Sequence, residues 1–116
     1  MVRIKTSLGV ISIVPEVLMT LVGDTATSCF GVKGMAMRSV TDGLVHLLKP
    51  EAMGKGVHIA YGEDYILIDL HIVVDQGVNI PVLCRSIISE VKYKITEATG
   101  IDVRSVDVYV DSISLD

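Results

Sequence analysis

The sequence has no tryptophan and a single phenylalanine among its 116 residues, and aromatic side chains make up only 4% of it. Aliphatic residues must therefore fill any core. Long apolar runs are missing too; the unbroken ones are short, as in Ile66-Leu67-Ile68. A membrane-spanning helix needs about 20 consecutive apolar residues, so none is expected. The opening residues Met1-Val2-Arg3-Ile4-Lys5 lead into an alternating segment and lack the apolar stretch of a signal peptide. The expected location is the cytoplasm. Internal repeats, low-complexity stretches and long linkers are absent as well. The length suits one domain, 1–116, since a domain typically takes about 100–200 residues. Such a chain can bury a core without disulfides or metals.

Only two cysteines occur, Cys29 and Cys84, each among apolar residues at helical spacing. They read as inert core thiols, because free cysteine behaves as a small hydrophobe. There is no CxxC and no metal-type pairing of Cys with His. Basic charge is also scarce, with 10 Lys and Arg against 14 Asp and Glu. Residues 1–60 hold six basic against four acidic side chains, and residues 61–116 hold four against ten. An acidic balance argues against broad nucleic-acid binding, which relies on Lys and Arg neutralising phosphates. It argues equally against adsorption to anionic lipid.

Catalytic motifs are missing. There is no GxxxxGK[ST], no GxGxxG after a strand, no GxSxG, no HExxH and no EF-hand loop. The three histidines, His46, His58 and His71, stand near no Ser or Cys in a recognised nucleophile pattern. No cofactor is expected, and the chain reads as a non-enzyme.

What is present is clear periodicity. Val2 to Ser7 and Val10 to Val14 read as a hairpin turning at Leu8-Gly9. Pro15 suits the first turn of a helix, and Val17, Leu18, Leu21, Val22, Ala26 and Cys29 follow at helical spacing. Gly31 is placed to cap that helix. A glycine-punctuated segment through Arg38 suggests a short strand. Ser39 or Thr41 then caps a short helix through Leu44, Leu47 and Leu48, which carries His46 and ends at Pro50. Met35, Met37 and Met53 read as core filling. Gly54-Lys55-Gly56 reads as a loop.

The strongest signal lies between Val57 and Asp75. Two strands, 57–61 and 65–75, are joined by Gly62-Glu63-Asp64. Ile66, Ile68, Leu70, Ile72 and Val74 point one way; Tyr65, Asp69, His71 and Asp75 point the other, with Leu67 and Val73 among them. A long helix follows, capped by Asn79 and stopped by Gly100, with Ile80, Cys84, Ile87, Val91, Ile95 and Ala98 in one stripe widened by Leu83 and Ile88. A helix over 79–99 runs about 31 Å at ~1.5 Å per residue. The strand 65–75 runs about 36 Å at ~3.3 Å per residue. The helix can therefore lie along the apolar face of the strand. The last strand, Val103 to Leu115, sets Val106, Val108 and Val110 against Asp107, Tyr109 and Asp111. After Asp111 the alternation changes phase at Ile113 and Leu115, as a bulge or a contact with another chain would produce. These segments predict an α+β fold of two layers, a mostly antiparallel sheet with helices packed on one face.

One constellation carries chemistry. Asp69, His71, Asp107, Tyr109 and Asp111 cluster if strands 65–75 and 103–111 are neighbours. Asp and His together can hold a divalent metal, which makes a metal-dependent enzyme one alternative. A solvated or protein-contacting face explains the same residues, because antiparallel sheets commonly have one polar side. A nucleic-acid-binding module is a further alternative, with Lys33 and Arg38 clamping a backbone. The acidic second half and the lack of stacking aromatics oppose it. The residues expected to face a partner are Lys33, Arg38, Asp69, His71, Asp107, Tyr109, Ile113 and Leu115.

Several stretches together resemble the alkaline shock, or envelope stress response, protein family of Gram-positive bacteria. They are Thr6-Ser7-Leu8-Gly9-Val10-Ile11-Ser12-Ile13, Ala26-Thr27-Ser28-Cys29-Phe30-Gly31-Val32-Lys33-Gly34-Met35, and Asp69-Leu70-His71-Ile72-Val73-Val74-Asp75-Gln76-Gly77 leading into the helix from Asn79. Thr99-Gly100-Ile101 and the strand through Val110 also fit. Gly31, Val32, Gly34 and Met35 match the most specific piece, AxxxxGVxGM, and transfer as structural rather than catalytic residues. The resemblance implies a cytoplasmic non-enzyme in cell-envelope homeostasis. It also implies self-association into a homo-oligomer and a separate membrane-anchored partner that holds the protein near the membrane. Other members resemble companions of a fatty-acid-kinase-like system. With no long charged tail, the chain resembles the minimal domain. Gly34 permits close backbone approach, so Gly34→Val should lower the thermal midpoint; an unchanged melt would contradict tight packing there.

Overall fold

The computed structural model describes residues 2–38, 45–47 and 56–115. Within them the chain runs β1 (Val2–Thr6), β2 (Gly9–Ile13), α1 (Pro15–Thr27), β3 (Val32–Arg38), β4 (Val45–Leu47), β5 (Val57–Tyr61), β6 (Tyr65–Asp75), α2 (Ile80–Thr99) and β7 (Asp102–Ser114). The fold is α+β, as the periodicity predicts.

Strand β6 is the centre of the main sheet. Its residues Ile66, Ile68, Leu70, Ile72 and Val74 are all buried, because every second side chain of a strand faces the same way. β7 runs parallel to β6 along its whole length, from Tyr65↔Asp102 to Asp75↔Ser114. A strand has two edges, so β5 and β3 share the other one. β5 pairs antiparallel with Ile66–Leu70, and β3 pairs antiparallel with Ile72–Val74. β4 extends the sheet from β3. Parallel neighbours need a crossover of a dozen or more residues, and α2 is that crossover.

Both helices pack on the apolar face. α1 contributes Leu18, Val22 and Ala26, and α2 contributes Leu83, Ile87, Val91 and Ile95; Met35, Val57, Val103 and Val106 complete the core. Fully burying an aliphatic side chain of this size is worth roughly 1.5–3 kcal/mol. The α2 stripe is narrower than the sequence suggests. Leu83 rather than Cys84 starts it, Ile88 and Ala98 are exposed, and Ile80 is half-buried. A spacing of four residues from Leu83 to Ile95 is enough to face one strand direction. In α1, Val17 points to solvent although it fits the helical spacing.

The helix ends follow local chemistry. Asn79 accepts a hydrogen bond from the Val82 backbone N–H at 3.1 Å, and Gly100 closes α2 in the left-handed conformation. Pro15 opens α1 as expected. Gly31, however, is not the cap of α1. The helix ends at Thr27 with Ser28 as its cap, and Gly31 belongs to the next turn at φ +103. A side chain there would be strained, and its Cβ would lie 2.9 Å from Val78 Cγ1. The motif glycine therefore seats the turn against the entry to α2. Gly34 is buried opposite Val73, just past a bulge whose extra residue is Lys33.

The short helix expected after Thr41 is contradicted where it can be judged. Val45–Leu47, including His46, form strand β4 on the edge of β3. Pairing with a neighbouring strand overrides weak local helical spacing. Ser39, Thr41, Leu44, Leu48, Pro50, Met53, Gly54 and Lys55 lie outside the described residues, as do the side chains of Met37, Arg38 and His46.

β1 and β2 form a separate two-stranded sheet with a two-residue turn, Ser7-Leu8. Thr6 Oγ1 accepts from the backbone N–H of Leu8 at 3.2 Å and of Gly9 at 3.1 Å. Val2 and Ile13 rest against the core, but Leu8, Val10 and Ile11 are exposed. Replacing Ile68 with Ala should destabilise the domain by about 2–5 kcal/mol, read from urea unfolding; a loss below ~1 kcal/mol would show that β6 is not the core strand.

Candidate functional site

The polar sides of β5, β6 and β7 meet on the face turned away from the helices. Parallel pairing sets Asp69 beside Asp107 and His71 beside Tyr109. The phase change read in the sequence is a bulge in β7 whose extra residue is Asp111, between the Ile72↔Val110 and Val73↔Ser112 pairs. The bulge directs the Asp111 carboxylate to His71, where Oδ2 lies 3.0 Å from Nδ1. An ionised carboxylate only accepts hydrogen bonds, so against an ionised Asp111 the tautomer that makes this contact is the one with its proton on Nδ1. The Asp111 side chain is only 9% exposed, and that of His71 31%. The imidazole also stacks on Tyr109, with centroids 4.7 Å apart and planes 11° apart. His58 on β5 meets it edge-on at 5.7 Å. Its position follows from the register, since His58 lies opposite Asp69.

A second bulge in β7, at Arg104, comes with no phase signal strong enough to read in the sequence. Its extra residue puts the Arg104 guanidinium 3.6 Å from the centroid of the Tyr65 ring. The other neighbour of that ring is Gly62, where any Cβ would collide with it. The tip of the β5–β6 hairpin is thereby fixed.

The residues expected to face a partner divide among three places. Asp69, His71, Asp107 and Tyr109 do come together. Lys33 is exposed on the β3 bulge along the opposite edge of the sheet, and Arg38 ends the same strand. Ile113 and Leu115 are exposed at the far end of β7, where Ile113 pairs with Val74 and so returns to the side of the apolar face. Of the motif residues, Gly31 and Gly34 are buried, Val32 is half-buried and Met35 is in the core.

Among the described residues no group of three or more His, Cys, Asp and Glu is arranged to hold a metal ion. The Asp111–His71 couple resembles the base and orienting parts of a triad. Among the described residues, no serine or cysteine hydrogen-bonds to His71. The thiols are free and half-buried. Burial pushes the Cys29 thiol above its usual range, with the Glu90 charge adding to it, and burial does the same to Cys84. Such thiols stay neutral and are poor nucleophiles. No helix among the described residues is long and apolar enough to cross a membrane.

Two surface features escape the sequence reading. At the end of β6 that holds Asp75, Phe30 is 97% exposed, and the exposed Ile113 lies at the same end on β7. A lone phenylalanine next to a buried glycine gives no periodic signal. At the opposite end, where Tyr65 starts β6, an open cleft of about 500 Å³ lies between β1 and the β5–β6 tip. Arg3 and Lys5 form one wall, Glu63 and Asp64 the other, and Tyr61, Tyr65 and Ile101 are among the residues between them. Burial, and secondarily the charge of Glu16, raises the Tyr61 hydroxyl above its ordinary range.

The sequence matches the alkaline shock protein 23 family, described as having a cell envelope-related function, over residues 3–115. It is similar to the uncharacterized protein YloU of Bacillus subtilis strain 168, with 32% identity over 97% of this chain and 94% of that protein. It is also similar to the uncharacterized protein Spy1614 of Streptococcus pyogenes serotype M6, with 35% identity over 98% and 95% of the two chains. A third relative, YqhY of Bacillus subtilis strain 168, is 30% identical over 96% of this chain and 82% of its own length. No solved structure matches significantly.

The His71–Asp111 contact should show in a double-mutant cycle with His71→Ala and Asp111→Ala. A coupling of about 0.5–1.5 kcal/mol is expected from unfolding curves. A value indistinguishable from zero would mean that the contact is incidental.

Proposed function

The chain belongs to the alkaline shock protein 23 family of cell envelope-related proteins, and from that premise we propose that it is a non-enzymatic protein-interaction module, a scaffold in cell-envelope homeostasis. The observation that carries the reading is the condition of β7. This 13-residue strand pairs only with β6 among the described residues. Its outer edge offers backbone donors and acceptors to another chain. The flanking surface is of the kind that interfaces use, with Tyr109 exposed beside Asp107 and an apolar end at Ile113 and Leu115. The His58–His71–Tyr109 ring cluster adds a fixed platform, so a partner meets little disorder there and loses less entropy in docking.

The partners are other proteins, including further copies of this chain and a membrane-anchored protein that keeps it near the envelope. The acidic second half disfavours nucleic acid and anionic lipid as direct ligands. Cross-linking in intact cells, followed by mass spectrometry, tests the reading. Cross-links from the β7 edge to a protein partner or to another copy are expected. Recovery of neither, at cellular concentration, would sink it.

A further inference from the structure

We propose that the Phe30 pole of one copy docks into the cleft between β1 and the β5–β6 tip of a second copy, joining chains head to tail. The inference rests on the protein-interaction reading above and names the partner and the joint.

Phe30 is the single phenylalanine of the chain, and it is 97% exposed. It is not exposed because its segment is loose. The Val32 N–H donates to the Cys29 carbonyl at 3.2 Å, and the Asp75 N–H donates to the Gly31 carbonyl at 2.8 Å. Gly31 is seated against Val78 and Leu83. A ring held outward on a fixed turn is pre-organised to enter something, and an aromatic anchor in a pocket is the usual centre of an interface. Val82, Ile113 and Leu115 are exposed apolar residues at the same end of β6.

The same molecule carries a receptor of suitable size. The cleft at the other end of β6 has a volume of about 500 Å³, within the ~300–1,000 Å³ of pockets that take an organic group. Tyr61, Tyr65 and Ile101 offer apolar surface inside it. The charges also match. Residues 1–14 contain Arg3 and Lys5 and no acidic side chain, and neither makes an ion pair among the described residues. At the Phe30 pole Asp75 is exposed to meet them, while exposed Lys33 can face Glu63 and Asp64 on the opposite wall. Tyr65 and Asp75, at the two ends of β6, are ten residues apart, about 33 Å at ~3.3 Å per residue. One copy cannot fill its own cleft with its own Phe30. Plug and socket on different surfaces make a heterologous contact when copies repeat it in one sense, and such a contact builds open chains or rings.

Sedimentation velocity on the full chain tests this with two kinds of variant. Phe30→Ser lacks the plug and keeps the socket. Arg3→Glu with Lys5→Glu spoils the socket and keeps the plug; Glu63→Arg with Asp64→Arg does so from the other wall, should the first pair disturb the hairpin. Circular dichroism checks that each is folded. Wild type is expected to form larger species as concentration rises, each variant alone to stay monomeric, and a mixture of Phe30→Ser with a socket variant to give a 1:1 dimer, since that pair retains one intact joint. A socket variant that still dimerises through Phe30, a mixture that stays monomeric, or unchanged assembly by Phe30→Ser would overturn the head-to-tail joint. A wild type that is monomeric at every concentration would overturn it too. Cross-links to a different protein would then leave the interaction reading standing, whereas their absence would remove both.

Discussion

The packing of α2 against the apolar side of β6 is the constraint on which the rest of the structure depends. Five consecutive alternate residues of β6 are buried, and four residues of α2 spaced by four lie over them. A one-residue slip of β6 would carry Asp69 and His71 into the core. Burying unpaired charge costs several kcal/mol on the order of the mutational scale, so register and helix position fix each other. The crossover through α2 then delivers β7 parallel to β6, and that pairing builds the polar face. Asp107 and Tyr109 reach Asp69 and His71 only because the helix lies where it does.

This dependence explains which features can be read from the chain. The alternation of 65–75 is local and strong, and so are the Asn79 cap and the Gly100 stop; each states its structure within a few residues. The phase change after Asp111 is legible as a bulge because Ile113 and Leu115 depart visibly from the pattern of Val106 to Val110. What cannot be read depends on distant partners. Nothing local tells Val45–Leu47 that β3 will offer an edge, or tells β7 that it will run parallel to β6. Arg104 bulges without disturbing an apolar pattern long enough to reveal it. Gly31 looks like a helix cap because its conformational role is real, but its positive φ serves a turn held by Val78 and Asp75.

The candidate site is half legible for the same reason. Asp69, His71, Asp107 and Tyr109 group together on the condition that two strands be neighbours, and they are. His58 escapes the sequence because its place on the face depends on the β5–β6 register, although its position opposite Asp69 follows once the hairpin is set. Lys33 is expected to share a partner-facing surface with the acidic residues and lies across the sheet from them, because β3 occupies the other edge of β6.

The two bulges bear on how a strand whose outer edge is unpaired among the described residues avoids aggregation. A long, flat, unpaired edge invites pairing with any other chain. β7 is long, but Arg104 and Asp111 interrupt it near either end, and each extra residue bends the strand and displaces its hydrogen-bonding groups. Each bulge is also pinned from the neighbouring strand, Arg104 by the Tyr65 ring and Asp111 by His71. The segment left between them is short, and Asp107 in its middle adds charge. Uncontrolled extension of the sheet through β7 is therefore disfavoured, and on the reading proposed above a partner must match a limited stretch of edge together with the side chains beside it. The His71–Asp111 pair is thus part of the strand's geometry. It joins the second bulge to the His71 ring on which Tyr109 stacks.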